Sequence, residues 1–149
     1  FSLSLFAARS ICAKSPRTSS VFCKATDLAR IQEMFDLITE TQGQIERLGI
    51  TEERFKRPAT DADRLFSEAI MNRVLRVTEE AGSLSDEALA HYEFERRAIK
   101  GVRNRLAHAY GDVDTDIVWD VVQGDFPKLL EGCQAYCDDL GLELESARR

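Results

Sequence analysis

Histidine, proline and paired cysteine motifs are scarce in this chain. Its 149 residues hold two histidines, His91 and His108, and three prolines. So little proline leaves room for long helices, because each interior proline removes a backbone donor and clashes with the preceding turn. The four cysteines are Cys12, Cys23, Cys133 and Cys137, with no Cys-x-x-Cys pair among them and the histidines distant in sequence. A zinc site is therefore not expected. Cys133 and Cys137 stand four apart, which puts them on one helix face as reduced thiols packing like small hydrophobes. No segment approaches the roughly 20 apolar residues that a membrane-spanning helix needs. A Gly-rich phosphate loop and a Gly-x-Ser-x-Gly elbow are both missing. The net charge of −6 argues against a protein that coats nucleic acid with its whole surface.

Acid is missing locally from residues 1–25, which hold no Asp or Glu, four basic residues (Arg9, Lys14, Arg17, Lys24) and many serines. Three readings compete there. The segment could be an organelle-targeting peptide, a secretory signal lacking its basic stretch, or upstream sequence read through from a misplaced start. The last is preferred; the chain begins at Phe1 rather than Met. The segment is expected to be poorly ordered and without function. Residues 26–142 then form one domain and 143–149 a tail.

From Asp27 onward the pattern is helical. Thr26 or Asp27 can cap a first helix with Leu28, Ile31, Phe35 and Ile38 at helical spacing, ending near Gly49. Residues 51–60, with Pro58, read as a connection. Thr60 or Asp61 can cap a second helix whose stripe is Phe66, Ile70, Val74, Val77 and Ala81, widened by Leu65 and Leu75 and closed at Gly82. Ser83 or Ser85 caps a short helix from Asp86 to about Tyr92. A further helix covers roughly Glu95 to Ala109, with Ile99, Val102 and Leu106 inward. After a turn at residues 112–116, Ile117, Val118, Val121 and Val122 make the next core face, with Trp119 nearby and an interruption at Phe126-Pro127. A last helix carries Leu129, Leu130, Cys133, Cys137 and Leu140 inward. No period-two strand is convincing. The expected fold is all-α, an antiparallel bundle of four to six helices.

Between Arg96 and Arg105 there are five basic residues and no acid. Inside this stretch Asn104 and His108 are four apart and share a helix face, with Arg103 about 100° round. Two readings stand: a solvated polar face with a structural histidine, or a site. The basic surroundings, the helix end at Ala109-Tyr110-Gly111, and the preference of helix-end carbonyls for a protonated imidazole favour a site. The aspartates at 112, 114 and 116 do not make a calcium loop. Such a loop starting at Asp112 needs glycine sixth and glutamate twelfth, where Ile117 and Gln123 stand. They read as a capping turn.

The string Gly101-Val102-Arg103-Asn104-Arg105-Leu106-Ala107-His108-Ala109-Tyr110-Gly111 resembles the hallmark of the HepT branch of the HEPN superfamily: Arg-Asn, three residues, His, one residue, Tyr. The flanks 79–85 and 112–120 resemble that branch too. The likeness spans about Asp27 to Leu140. The resemblance implies a two-fold homodimer whose motifs meet in one cleft, a cytoplasmic metal-independent ribonuclease without a cofactor, and a role as toxin beside an MNT-type nucleotidyltransferase antitoxin. In that family the antitoxin transfers AMP from ATP to the motif tyrosine, here Tyr110. Tyr110 can equally be a phenol packed at the helix end.

The chemistry agrees with the residue types. RNA carries its own nucleophile, the 2′-hydroxyl, so cleavage needs a base, an acid and positive charge on the phosphate. Imidazole suits either proton-transfer role near neutral pH. A dimer supplies two His108 side chains, Arg103 a phosphate clamp, and Asn104 a hydrogen bond to imidazole or phosphate. Arg105 is a candidate secondary RNA contact or a surface ion pair, while Lys100 and Arg97, with Arg96, either steer the RNA backbone toward the cleft or form a solvated face. The competing function is a non-catalytic helical module that dimerises and holds a nucleotidyltransferase, using the same groove only for binding.

Overall fold

A 30-residue helix, α1 (Thr18–Arg47), is the spine of the computed structural model, which describes residues 18–91, 100, 104, 106 and 114–141. Its buried apolar side chains Leu28, Ile31, Met34, Leu37 and Ile38 recur at three- and four-residue intervals, so one face of the helix turns inward. The end of α1 is set by Gly49, which takes φ 59°. Ile50 N–H donates to the Ile45 carbonyl at 2.9 Å and Gly49 N–H to that of Glu46 at 3.2 Å. This Schellman arrangement satisfies the last carbonyls and turns Ile50 into the core.

The short helix α2 (Glu52–Lys56) follows, within a segment expected to be only a connection. Thr51 caps it by accepting from Arg54 N–H at 3.3 Å, and its Phe55 is buried. Helix α3 (Asp61–Gly82) starts on Thr60, whose hydroxyl accepts from Asp63 N–H at 3.1 Å. It returns antiparallel to α1. Arg30 pairs with Glu80 at 2.9 Å, Glu33 with Arg76, and Glu40 and Gln44 with Arg73 at 3.8 and 2.6 Å. Numbers rise along one helix as they fall along the other. These ion pairs are partly exposed, worth about 0–1 kcal/mol each. The packed faces between the helices matter more. Ile70, Val74, Val77 and Ala81 are buried as expected, but Leu65 is 66% exposed.

Helix α4 (Asp86–His91) is followed by α5 (Thr115–Asp120) and α6 (Phe126–Asp139). Between the last two the chain does not break at Phe126-Pro127. Residues Val121–Asp125 form a π-helical turn in which Phe126 N–H reaches back to the Val121 carbonyl. Pro127 has no N–H to give and its ring collides with the preceding turn of a regular α-helix. The wider turn absorbs the ring and keeps the two helices continuous. Val118, Val121, Val122, Phe126, Cys133, Tyr136 and Cys137 are buried, whereas Leu140 is 40% exposed. Burial pushes the Cys133 thiol up to about 12 and the Cys137 thiol up to about 11, so both stay protonated packing groups. No strand occurs among the described residues, and none of their helices is long and apolar enough to cross a membrane.

One cap crosses the fold. Helix α1 is already helical from Thr18, so Asp27 does not start it. Instead the buried Asp27 carboxylate accepts from Ser85 N–H at 2.9 Å and Ser85 Oγ–H at 2.5 Å. Ser85 Oγ in turn accepts from Ala88 N–H at 3.2 Å. A carboxylate on the longest helix thus satisfies donors at the start of α4. Ser85→Ala is expected to lower unfolding free energy by about 1–2 kcal/mol, read as a lower urea midpoint by circular dichroism. An unchanged midpoint would remove this cap from the account.

A second clasp joins three segments. Arg54 donates to Asp63 Oδ1 at 3.2 and 2.7 Å and to the Leu48 and Gly49 carbonyls at 3.0 Å. The Arg54 hydrogen bonds hold the Asp63 carboxyl below its ordinary value, against the opposing effect of burial. The stability it supplies is therefore complete above the ordinary aspartate range, near pH 4, and is lost as pH falls through the lowered folded value. Asp36 runs the other way: burial raises it, despite the Gln32 amide donating at 2.9 Å. Urea midpoints measured from pH 6 down to 2 should fall less steeply in Asp63→Asn than in the native chain; parallel curves would contradict the assignment.

Candidate functional site

Leu106 is the inward-facing residue among the three described ones of the basic stretch. Lys100, Asn104 and Leu106 are all helical. Leu106 is 6% exposed and lies in one apolar cluster with Phe55, Ile70, Val74, Val118, Trp119 and Phe126. Asn104 and Lys100 are exposed. Two residues of helix turn by about 200°, so a side chain two places before a buried one points away from the core. Asn104 thus stands away from the core. Inward leucine and outward amide agree with the expected stripe. Of the other candidates, Arg97, Arg103, Arg105, His108 and Tyr110 lie outside the described residues, as do Ile99 and Val102, expected inward, and Asp112 of the expected turn.

The chain just beyond the candidate motif is firmly held. Asp114 caps α5, its Oδ1 accepting from Asp116 N–H at 3.0 Å and Ile117 N–H at 3.4 Å. This is the capping role expected of the aspartate run. Lys56 on α2 pairs with Asp116 and with Glu52, and these two carboxylates hold its ammonium well above its ordinary range. One turn further on, Trp119 stacks on Phe55, with ring centroids 5.3 Å apart and planes at 28°. Such a pair adds about 0.5–1.5 kcal/mol to what burial supplies. Sequence reasoning missed Lys56 and Phe55, because both sit in the short helix read as a connection. A basic residue four after Glu52 and an aromatic between polar neighbours were the only signals.

The described part of the site has the ingredients for binding an anion and little else. An amide offers both donor and acceptor, and a lysine supplies charge. Among the described residues no group of three His, Cys, Asp or Glu side chains stands close enough to hold a metal. Many described cations are already neutralised: Arg30, Arg54, Lys56, Arg64, Arg73 and Arg76 all pair with carboxylates. Lys100 has no such partner among the described residues. Arg47, Arg57 and Lys128 share that state, so it does not set Lys100 apart.

No solved structure matches the chain. A family model described as "Ribonuclease HepT-like" matches residues 30–136, from the middle of α1 to near the end of α6, and takes in the whole stretch around Asn104. That match covers well over half of the sequence, and the chain belongs to the ribonuclease HepT-like family.

Proposed function

We propose that this protein is the toxin of a type II toxin–antitoxin pair, a metal-independent endoribonuclease that acts in the cytoplasm as a homodimer. The observation that carries this reading is the coincidence of the ribonuclease HepT-like match with the residues Arg103, Asn104, His108 and Tyr110 in the family's spacing. The exposure of Asn104 on a helix anchored by Leu106 supports it.

In this reading the 2′-hydroxyl of the RNA attacks the adjacent phosphorus. One His108 takes the hydroxyl proton and the His108 of a second copy protonates the departing 5′-oxygen. The products are a 2′,3′-cyclic phosphate and a 5′-hydroxyl, with no proton or electron left over. Each proton transfer is worth about 10² to 10⁴-fold. Arg103 neutralises charge building on the phosphoryl oxygens, and Asn104 hydrogen-bonds phosphate or imidazole. Arg97, Lys100 and Arg105 draw the RNA backbone toward the cleft.

Neutralisation falls to an MNT-type nucleotidyltransferase. The Tyr110 oxygen attacks the α-phosphorus of ATP, pyrophosphate leaves, and AMP remains on the ring. Its phosphate would then compete with RNA for the nearby arginines.

Expression of the native chain alone in a bacterial host should arrest growth, and His108→Ala should abolish the arrest while leaving the helical circular dichroism and the dimer intact. A His108→Ala chain as toxic as the native one would overturn the nuclease reading. A native chain that is harmless and leaves RNA uncut, yet still binds a nucleotidyltransferase, would favour the non-catalytic module. Incubation with the partner enzyme and ATP should add the mass of AMP at Tyr110. Neutralisation with an unmodified Tyr110 would reduce the antitoxin to a binding inhibitor.

A further inference from the structure

We infer that the exposed face of α3 is a self-docking surface, on which the α3 of a second copy of this chain lies antiparallel, with Leu65 and Ala69 exchanged across a two-fold axis. The inference rests on the homodimer reading and deepens it by naming the surface.

Among the described residues the large exposed hydrophobics are Leu48, Leu65 and Leu140. Leu65, at 66%, is the most exposed of them and the one set inside a helix. Leu65, Ala69, Asn72 and Arg76 follow at steps of four, three and four residues, so they form one stripe. All four are exposed, while Ile70, Val74 and Val77 are buried on the far side of the helix. Leu48, 47% exposed, belongs to the same corner, because Arg54 donates both to its carbonyl at 3.0 Å and to Asp63 Oδ1 at 2.7 Å.

A lone exposed leucine is ordinary. What marks this one is a face that complements itself. Two copies of α3 laid antiparallel, with the axis level with Ser67, bring Leu65 against the partner's Ala69 and Ala69 against the partner's Leu65. Each large side chain then enters the hollow left by a small one. Arg64 falls within about 3 Å, along the helix axis, of the partner's Glu68, and the symmetry repeats that pair of opposite charges. Both residues are exposed. The Arg64 pair with Asp61 lies on the surface and contributes little. Glu68 has no ion pair among the described residues. A parallel arrangement would set leucine on leucine and arginine on arginine. Reciprocal contacts belong to a two-fold interface between like chains, and so point to a second copy rather than an unlike protein. Asp61 and Glu68 on this face also repel the phosphates of RNA.

The test is sedimentation of the full-length protein over a range of concentrations. The native chain should dimerise, and Leu65→Glu should raise the dimer Kd at least about tenfold, the least expected from burying an unpaired carboxylate. Because Leu65 is exposed in the single chain, this variant should keep the native helical circular dichroism and urea midpoint. Leu140→Glu, which changes an exposed leucine outside the face, should leave the Kd unchanged. Arg64→Glu and Glu68→Arg should each weaken the dimer, and the two together should restore it, as only reciprocal pairing allows. If Leu65→Glu dimerises as the native chain does, the second copy sits elsewhere and the inference falls while the nuclease stands. If it dimerises normally but no longer binds the nucleotidyltransferase, the face belongs to that partner and the inference falls likewise. A native chain that is monomeric throughout removes both the inference and the two-histidine mechanism. A native chain that leaves RNA uncut, yet loses its dimer in Leu65→Glu and regains it in the charge exchange, removes the ribonuclease reading and keeps this inference.

Discussion

Burial of Leu106 in the apolar cluster fixes which way the described residues of the basic stretch face. A leucine loses about 1.5–3 kcal/mol if it leaves such a cluster for water, while the cations around it lose their hydration if they enter. The two preferences act together, and one rotation satisfies both. With Leu106 inward among Phe55, Val118 and Trp119, Asn104 and Lys100 have to face outward. Leu106 therefore ties the stretch that carries Asn104 to the core.

The rest of the fold supplies that core and holds it still. Helices α1 and α3 form an antiparallel pair, with apolar faces buried and ion pairs along the partly exposed seam. Helix α2 is five residues long, yet it joins the end of α1, the start of α3 and the start of α5 through Arg54, Phe55 and Lys56. At the far end, Asp27 ties α1 to the start of α4. These polar ties are each small. They hold α4 and α5, the described elements on either side of the basic stretch, to the rest of the bundle.

Much of this architecture was legible from residue order. Thr60 or Asp61, Ser83 or Ser85, and the aspartate run at 112–116 announced helix starts, of which the structure uses Thr60, Ser85 and Asp114; Gly49 announced an end, and the stripes Ile70–Val74–Val77 and Val118–Val121–Val122 a core. What could not be read has a common cause: it depends on partners remote in sequence. Asp27 has the chemistry of an N-cap, but its donors belong to Ser85, 58 residues away. The short α2 has too few residues to show a period. Phe126-Pro127 signals a break, and only the π turn accommodates it without one. Tyr136 and Phe126 are buried and Leu65 and Leu140 exposed, because helix neighbours and not hydrophobicity decide which flank of a stripe is covered. Within the candidate site, spacing gave an inward Leu106 and a shared face of Asn104 and His108, the latter outside the described residues. The neighbours that bury Leu106 required the tertiary structure.

The measurement that bears most directly on the account is cleavage of a defined RNA by the purified protein in excess EDTA, followed by analysis of the new ends. The account predicts cutting at an undiminished rate, with 2′,3′-cyclic phosphate on one fragment and 5′-hydroxyl on the other. Cleavage that stops when divalent metal is removed, or that yields 5′-phosphate and 3′-hydroxyl ends, would contradict it.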